Sequence, residues 1–288
     1  MTSSSVASNS NAPVSVVILG TDAVLAARPA TPLQLAHACH RAGYGTVLPA
    51  SWGDELVAAT VVRRLGSFGP GPAVQCSCPN VAHRLLQGGD GLRDWFIPVA
   101  PPPVALARWV RARSGNQDVR ITYVGLCAGA ADPCIDIRIS PATFLALLAE
   151  RGIVPDHEPV SFDSVIPPDR RRFHSHPGGT PTVDALRPVG DGRSLVDLYV
   201  EDELAIHLAD RLLGEECVLV DAAACLGCAC AGAIAGVAAC DARGGVASLE
   251  PPRATSPVIE HMDSLDLELP LPAAARWAAD IVIALNRR

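Results

Sequence analysis

Two stretches of this chain follow the same local grammar, and that grammar limits the fold more than any other feature. Each has an apolar run, a loop, a Ser/Thr-Pro pair that opens a helix, and a glycine that closes it. Val14 to Leu19 is apolar and β-branched and ends at Gly20, the pattern of a buried strand. In the helix that follows, Thr31 can cap, Pro32 suits the first helical position, Gln34 completes a capping box, and Gly43 follows the last turn. Later, Arg120 to Leu126 is an apolar strand. Ser140-Pro141 then opens a helix through Phe144, Leu145, Leu147 and Leu148 that ends at Gly152. Further elements lie around these units: a short strand at Val47 to Pro49 and helices over Asp54 to Leu65, Asn80 to Leu86 and Val104 to Arg113. A last helix, Glu203 to Leu213, precedes the strand Cys217 to Val220.

Strands alternating with helices predict an α/β fold with mostly parallel sheets and flanking helices. The repeated unit predicts two similar lobes. The expected division is a disordered tail over 1–13, a first lobe over 14–113, and a second lobe with the C-terminal segment over 114–288. The tail is Ser-, Thr-, Asn- and Ala-rich and uncharged, and Pro101-Pro102-Pro103 makes a stiff corner near the boundary. A chain of 288 residues, 49% hydrophobic, has the material for such a core.

The formal charge of −7 comes with no basic run, which argues against nucleic acid as a partner. All 23 basic residues are Arg, so any mechanism that needs a Lys is excluded. The uncharged stretch Ala222 to Ala239 is Ala, Gly and Cys rather than Leu or Ile, a poor membrane span. A secretory leader would need a basic start and an apolar stretch, and neither opens the chain. The expectation is a cytoplasmic protein without a membrane partner, its ten Cys mostly reduced.

Those Cys carry the chemistry. Cys39, Cys217 and Cys240 read as small buried hydrophobes. The others fall into three groups. Cys76-Ser77-Cys78-Pro79 precedes a helix. Cys127 ends the strand Arg120 to Leu126, with Cys134 seven residues on. Cys225, Cys228 and Cys230 follow the strand Cys217 to Val220. In open α/β sheets, sites gather at the carboxyl ends of strands. Lone Cys from separate loops plus a close pair suit an iron–sulfur cluster. Zinc is the competing metal, but its structural sites favour two close Cys pairs in a small knuckle.

These residues resemble the catalytic domain of FeFe-hydrogenases. Gly71 to Pro79, with Gln75-Cys76-Ser77-Cys78-Pro79 at its end, is similar to the family's first motif, Thr-Ser-Cys-Cys-Pro. Phe96 to Pro103 is similar to the Ser-Pro segment that follows it. Tyr123-Val124-Gly125-Leu126-Cys127 resembles the second motif, ending Met-Pro-Cys, and Asp136 to Ser140 resembles what comes after. Pro177 to Arg187 resembles the Gly-Gly-Val segment, and Asp221 to Cys225 the third motif, Glu-Val-Met-Ala-Cys. Order and spacing hold from about Val14 to about Gly236.

The resemblance implies a two-lobed fold with the cysteine site in the cleft between the lobes, and a 4Fe–4S cluster on Cys78, Cys127 and Cys225. The family's fourth ligand would fall at Ala229, flanked by Cys228 and Cys230, of which Cys230 is favoured. Cys76 and Cys134 are reserve ligands. The departures lie at the di-iron subsite. Ser77 stands for the proton-relaying Cys, Ala130 for the Lys that contacts the diatomic ligands, Pro133 for an acid and Ala223 for the Met. The resemblance therefore implies a cluster without the di-iron subsite.

The function expected is a redox or sensory iron–sulfur module without hydrogen turnover, working with a redox or signalling partner protein. The alternatives are a reductase on a nonstandard cluster, a cluster assembly or carrier protein, and an active FeFe-hydrogenase. With no Cys run at two-residue spacing before Cys76, electrons would come from another protein.

Two polar stretches remain. Asp169 to Gly179, with Arg170, Arg171, Arg172, His174 and His176, is a solvated loop or a cover over the cleft. Asp54-Glu55 either forms an acid pair at a cleft or supports a helix start through the macrodipole. No Gly-x-Ser-x-Gly elbow occurs, and no Gly-rich phosphate loop follows Gly20.

Overall fold

The computed structural model describes residues 13–66, 68, 71–87, 90–115, 117–160, 175–176, 178–181, 186, 194–197 and 218–221. The strands are β1 (Val14–Leu19), β2 (Thr46–Pro49), β3 (Ala73–Gln75), β4 (Phe96–Ile97), β5 (Val119–Val124), β6 (Ile137–Ile139), β7 (Ser175–His176), β8 (Thr180–Pro181), β9 (Ser194–Asp197) and β10 (Val218–Asp221). The helices are α1 (Thr21–Ala26), α2 (Pro32–Arg41), α3 (Ser51–Leu65), α4 (Pro79–Gln87), α5 (Pro102–Arg113) and α6 (Pro141–Glu150).

Local signals act as their chemistry requires. The Thr31 hydroxyl accepts from the Gln34 amide at 3.2 Å, and the Gln34 side-chain oxygen accepts from the Thr31 amide at 2.9 Å, closing the capping box. Ser140 caps α6 through the Thr143 amide. Gly43 and Gly152 take positive φ just beyond their helices.

The strands form two parallel four-stranded sheets, β2-β1-β5-β6 and β4-β3-β10-β9, and β7-β8 is an antiparallel hairpin. The fold class is as expected. Strands from 14–49 and from 119–139 share the first sheet, so a boundary between residues 113 and 114 does not separate the sheets. Both copies of the repeated unit belong to that one sheet. β5 lies beside β1 in full register, from Val14 against Val119 to Leu19 against Val124. Two apolar runs of equal length pair well, and strand partners are not encoded in local pattern.

Alternation along β1 serves two cores. Val17 and Leu19 pack with Leu35, Ala38 and Cys39 of α2 and with Phe144 and Leu148 of α6. Cys39 is thus the buried hydrophobe expected of it. Val16 and Ile18 face the other way, into a core built with α3 and α5. That core continues to Val74 and Ile97 of the second sheet. Helices α3 and α5 therefore form a layer whose apolar residues serve both sheets.

The α3–α5 contact is close at Gly53, where a Cβ would fall 1.9 Å from the backbone oxygen of Pro102. Alanine in an open helix site would gain up to about 1 kcal/mol over glycine. Here the clash is backbone on backbone, and overpacking costs about 1–3 kcal/mol. Gly53→Ala is expected to lower stability in urea unfolding; a more stable variant would contradict the close approach.

Candidate functional site

Cys78 and Cys127 leave the carboxyl ends of strands in different sheets, and their loops meet. Cys78 directly precedes α4, and Cys127 leads into a 3₁₀ turn over Ala128–Ala130. At the centre of that turn, a Cβ on Gly129 would fall 2.9 Å from Pro101 and 3.2 Å from Pro79. Only a residue without a side chain lets the turn lie between the first residue of α4 and the N-cap residue of α5. Both helices thus begin beside the turn that follows Cys127, and helix N-termini favour an anionic group nearby. Both Cys are half-buried and pack against the shared core.

The remaining candidates sit differently. Cys76 is buried, and its thiol donates to the Cys78 carbonyl at 3.3 Å, within its own turn. Cys134 belongs to a polar network on α5. Arg108 donates to Asp132 at 2.8 Å, the Cys134 amide donates to the same carboxylate at 2.9 Å, and the Cys134 thiol faces the Val104 carbonyl at 3.9 Å. Burial alone would raise the Asp132 carboxyl, but the donors from Cys134 and the charge of Arg108 outweigh it and hold it low. Burial, and then Asp132, push the Cys134 thiol up to about 12. Cys225, Cys228 and Cys230 lie outside the described residues, as do Cys217, Cys240, Ala223 and Arg170 to Arg172. Among the described residues, no three metal-binding side chains gather in one group.

The donor set suits an iron–sulfur cluster in kind. Soft thiols sit in tight turns, flanked by Ser, Gly and Ala that let backbone come close. The chain at Asp221 also exits beside this place. Asp221 of β10 lies in register with Gln75, the residue before Cys76, and Cys225 follows Asp221 by four positions. Cys78 and Cys127 would hold such a group from the described part of the chain.

At the positions matched to the di-iron subsite, Ser77 is buried, Ala130 is fully buried and Pro133 is exposed.

Several side chains around the site make contacts that the sequence pattern does not show. Asp54 accepts from the Gly178 amide at 2.9 Å, and Glu55 accepts from the Ser175 hydroxyl at 2.7 Å. The acid pair thus fastens the β7–β8 hairpin to α3. Gln75 donates to Thr180 at 3.3 Å, tying the hairpin to β3. Asp22, buried at the start of α1, accepts from the Leu126 amide at 2.6 Å, one residue before Cys127. Burial raises its carboxyl. The local signal was an acid two residues after the glycine that ends the strand.

No protein-family model matches the chain, and no curated protein matches it by sequence. Solved structures do. FeFe-hydrogenase HydA1 from Chlamydomonas reinhardtii aligns as an apo cysteine-to-histidine variant with TM-score 0.54 and 15% identity, covering 94% of each chain. A glutamate-to-alanine variant of the same enzyme aligns with TM-score 0.55 and 13% identity, again over 94% of each. An FeFe-hydrogenase from work on oxygen damage to the H cluster gives 0.53 and 14%, covering 96% of this chain and 85% of that one. Against a HydA structure from work on stepwise H-cluster assembly, the match covers 53% of this chain and 46% of that one, with TM-score 0.44. The chain has the FeFe-hydrogenase fold. Among the described residues, no helix is long and apolar enough to cross a membrane.

Two measurements check this geometry. Burial, with the Glu55 charge adding to it, raises the Asp54 carboxyl from an ordinary 3.8 to about 7 against the pull of the Gly178 amide. The folded state then binds this proton more tightly than the unfolded one, so stability is lost as pH rises from about 4 to 7. Asp54→Asn keeps an acceptor for Gly178 and cannot ionise. Its stability relative to the parent is expected to climb across that window in urea unfolding and level off above it; parallel pH profiles would contradict the assignment. Separately, Cys39 and Cys134, both held near 12, are expected to alkylate at pH 8 roughly a thousandfold more slowly than an ordinary thiol, because the thiolate reacts. Peptide-resolved labelling that reached Cys134 at an ordinary rate would show its network to be open.

Proposed function

We propose that this protein is an iron–sulfur redox or sensory module on a hydrogenase-like scaffold, one that does not turn over hydrogen. The observation that carries the reading is the meeting of the Cys78 and Cys127 loops at Gly129, beneath two helix N-termini. Cys78, Cys127 and Cys225 would hold a 4Fe–4S cluster, with Cys230 favoured over Cys228 as fourth ligand. The four positions from Asp221 to Cys225 can span about 14 Å, enough to reach across the end of a sheet. When bound, such a cluster supplies one-electron chemistry. The chain's own part is to hold it, screen it and meet a partner that gives or reads the electron. Cys134 is better left out of the ligand set, since its thiol is already engaged with Asp132 and Val104.

The case against hydrogen chemistry rests on three positions. A di-iron centre with cyanide ligands puts negative charge into a dry pocket, and leaving a buried charge unpaired costs about 3–5 kcal/mol. Ala130 is fully buried and its side chain offers neither charge nor donor, and Pro133 is no acid. Ser77 passes a proton less readily than a thiol titrating near neutrality.

Anaerobic reconstitution is expected to give iron and acid-labile sulfide in about equal amounts, with broad absorption near ~400 nm from thiolate-to-iron charge transfer. Cys78→Ala, Cys127→Ala and Cys225→Ala should each lose most of the iron, Cys39→Ala should keep it, and Cys230→Ala should lose more than Cys228→Ala. Matured protein given reduced viologen should evolve no hydrogen above a cluster-only control. Stoichiometric zinc without sulfide would end the cluster reading, and sustained hydrogen evolution would restore a hydrogenase.

A further inference from the structure

The ladder between β1 and β5 ends in an unusual way. Val124 closes the main-chain pairing, with its carbonyl accepting from the Gly20 amide at 2.8 Å. Beyond it, successive β5 amides face opposite sides. The Gly125 amide donates to Ile139 of β6 at 3.0 Å, and the Leu126 amide faces β1. By then β1 has turned into α1, and Gly20 carbonyl is used by the amides of Ala23 and Val24. The acceptor for Leu126 comes instead from a side chain: Asp22 Oδ2 at 2.6 Å. The other oxygen, Oδ1, accepts from the Ala23 amide at 3.0 Å.

Space for the carboxylate is made first at Gly20, where a Cβ would fall 2.3 Å from Asp22 Oδ1. A Cβ on Gly125 would meet the Tyr123 hydroxyl at 2.3 Å and Asp22 Oδ1 at 2.9 Å, so the Tyr123 ring and the carboxylate share the room that Gly125 leaves. The next residue after Leu126 is Cys127, whose carbonyl accepts from the Ala130 amide at 3.1 Å to open the 3₁₀ turn. Cys127 is therefore held on one side by the Asp22-bound amide and on the other by the turn pressed between Pro79 and Pro101.

We propose that Asp22 is the positioning residue for Cys127: its carboxylate continues the β1 edge by one acceptor and fixes the backbone from which the ligand thiol projects. The proposal rests on Cys127 being a cluster ligand, but the backbone latch can be read without a cluster.

The test uses the full chain in three forms: parent, Asp22→Ala and Asp22→Asn. Asparagine keeps an oxygen for the Leu126 amide. In the metal-free proteins, iodoacetamide labelling is followed peptide by peptide. Asp22→Ala is expected to label Cys127 about tenfold faster, the factor for losing one hydrogen bond to a charged group, with Cys39 and Cys134 unchanged. Asp22→Asn is expected to label close to the parent rate. After reconstitution with iron and sulfide, Asp22→Ala is expected to show a lower iron content or an altered EPR spectrum of the reduced cluster, both restored by Asp22→Asn. Unchanged Cys127 labelling in Asp22→Ala would overturn the proposal. So would equal acceleration at Cys39, Cys127 and Cys134, which would make Asp22 a general support of the fold. A parent protein that takes up no iron and sulfide would overturn the cluster reading instead, and the labelling result would still decide the latch.

Discussion

Strand β5 lies against β1 along its whole length, and the site depends on that pairing. The register runs without a slip from Val14–Val119 to Leu19–Val124. In a parallel ladder, a shift of one residue would turn every side chain to the opposite face. Val119, Ile121 and Tyr123 would leave the core shared with α3 and α5, and Val124 would leave the one beneath α2 and α6. The register therefore fixes where β5 stops, and so where Cys127 sits relative to α4 and α5.

The middle layer transmits that placement to the second sheet. Helices α3 and α5 approach until Gly53 meets the backbone of Pro102, and their apolar residues join a core that reaches β3 and β4. The Arg108–Asp132 ion pair ties α5 to the turn after Cys127. The β7–β8 hairpin is fastened by Asp54 and Glu55 to α3 and by Gln75 to β3. Close packing makes such an arrangement stiff, because a shift in one element is felt by its neighbours. Two Cys from different sheets can be held in fixed relation this way without bonding to one another.

What could be read from the sequence follows the range of the interaction. The capping box of Thr31 and Gln34, the Ser140 cap and the closing glycines involve residues within a few positions of each other, and the pattern carries them. The Cys127 turn was legible because a strand end and a cysteine fall together, and the Cys78 turn because it precedes a helix, whereas the three-residue strand before Cys76 is too short to stand out in the pattern. The sharing of one sheet by both repeated units was not, since equal apolar runs do not name their partners. The same holds for polar contacts across long separations. Asp54 and Glu55 read as an acid pair at a cleft or a helix start, with no sign that they would bind Gly178 and Ser175; Asp22 gave no sign that it would reach Leu126. The contacts of Cys134 with Asp132 and the Val104 carbonyl are likewise not written in its spacing from Cys127.

The central claim is that Cys78 and Cys127 face one iron–sulfur cluster while the ground around Ala130 carries no second iron centre. An anaerobic crystal structure of the reconstituted and matured protein, with anomalous maps on either side of the iron edge, tests it most directly. The account predicts one compact iron peak in contact with the sulfurs of Cys78 and Cys127, and no iron beside Ala130. Iron bound elsewhere, a signal at the zinc edge instead, or a second pair of irons beside Ala130 would contradict it.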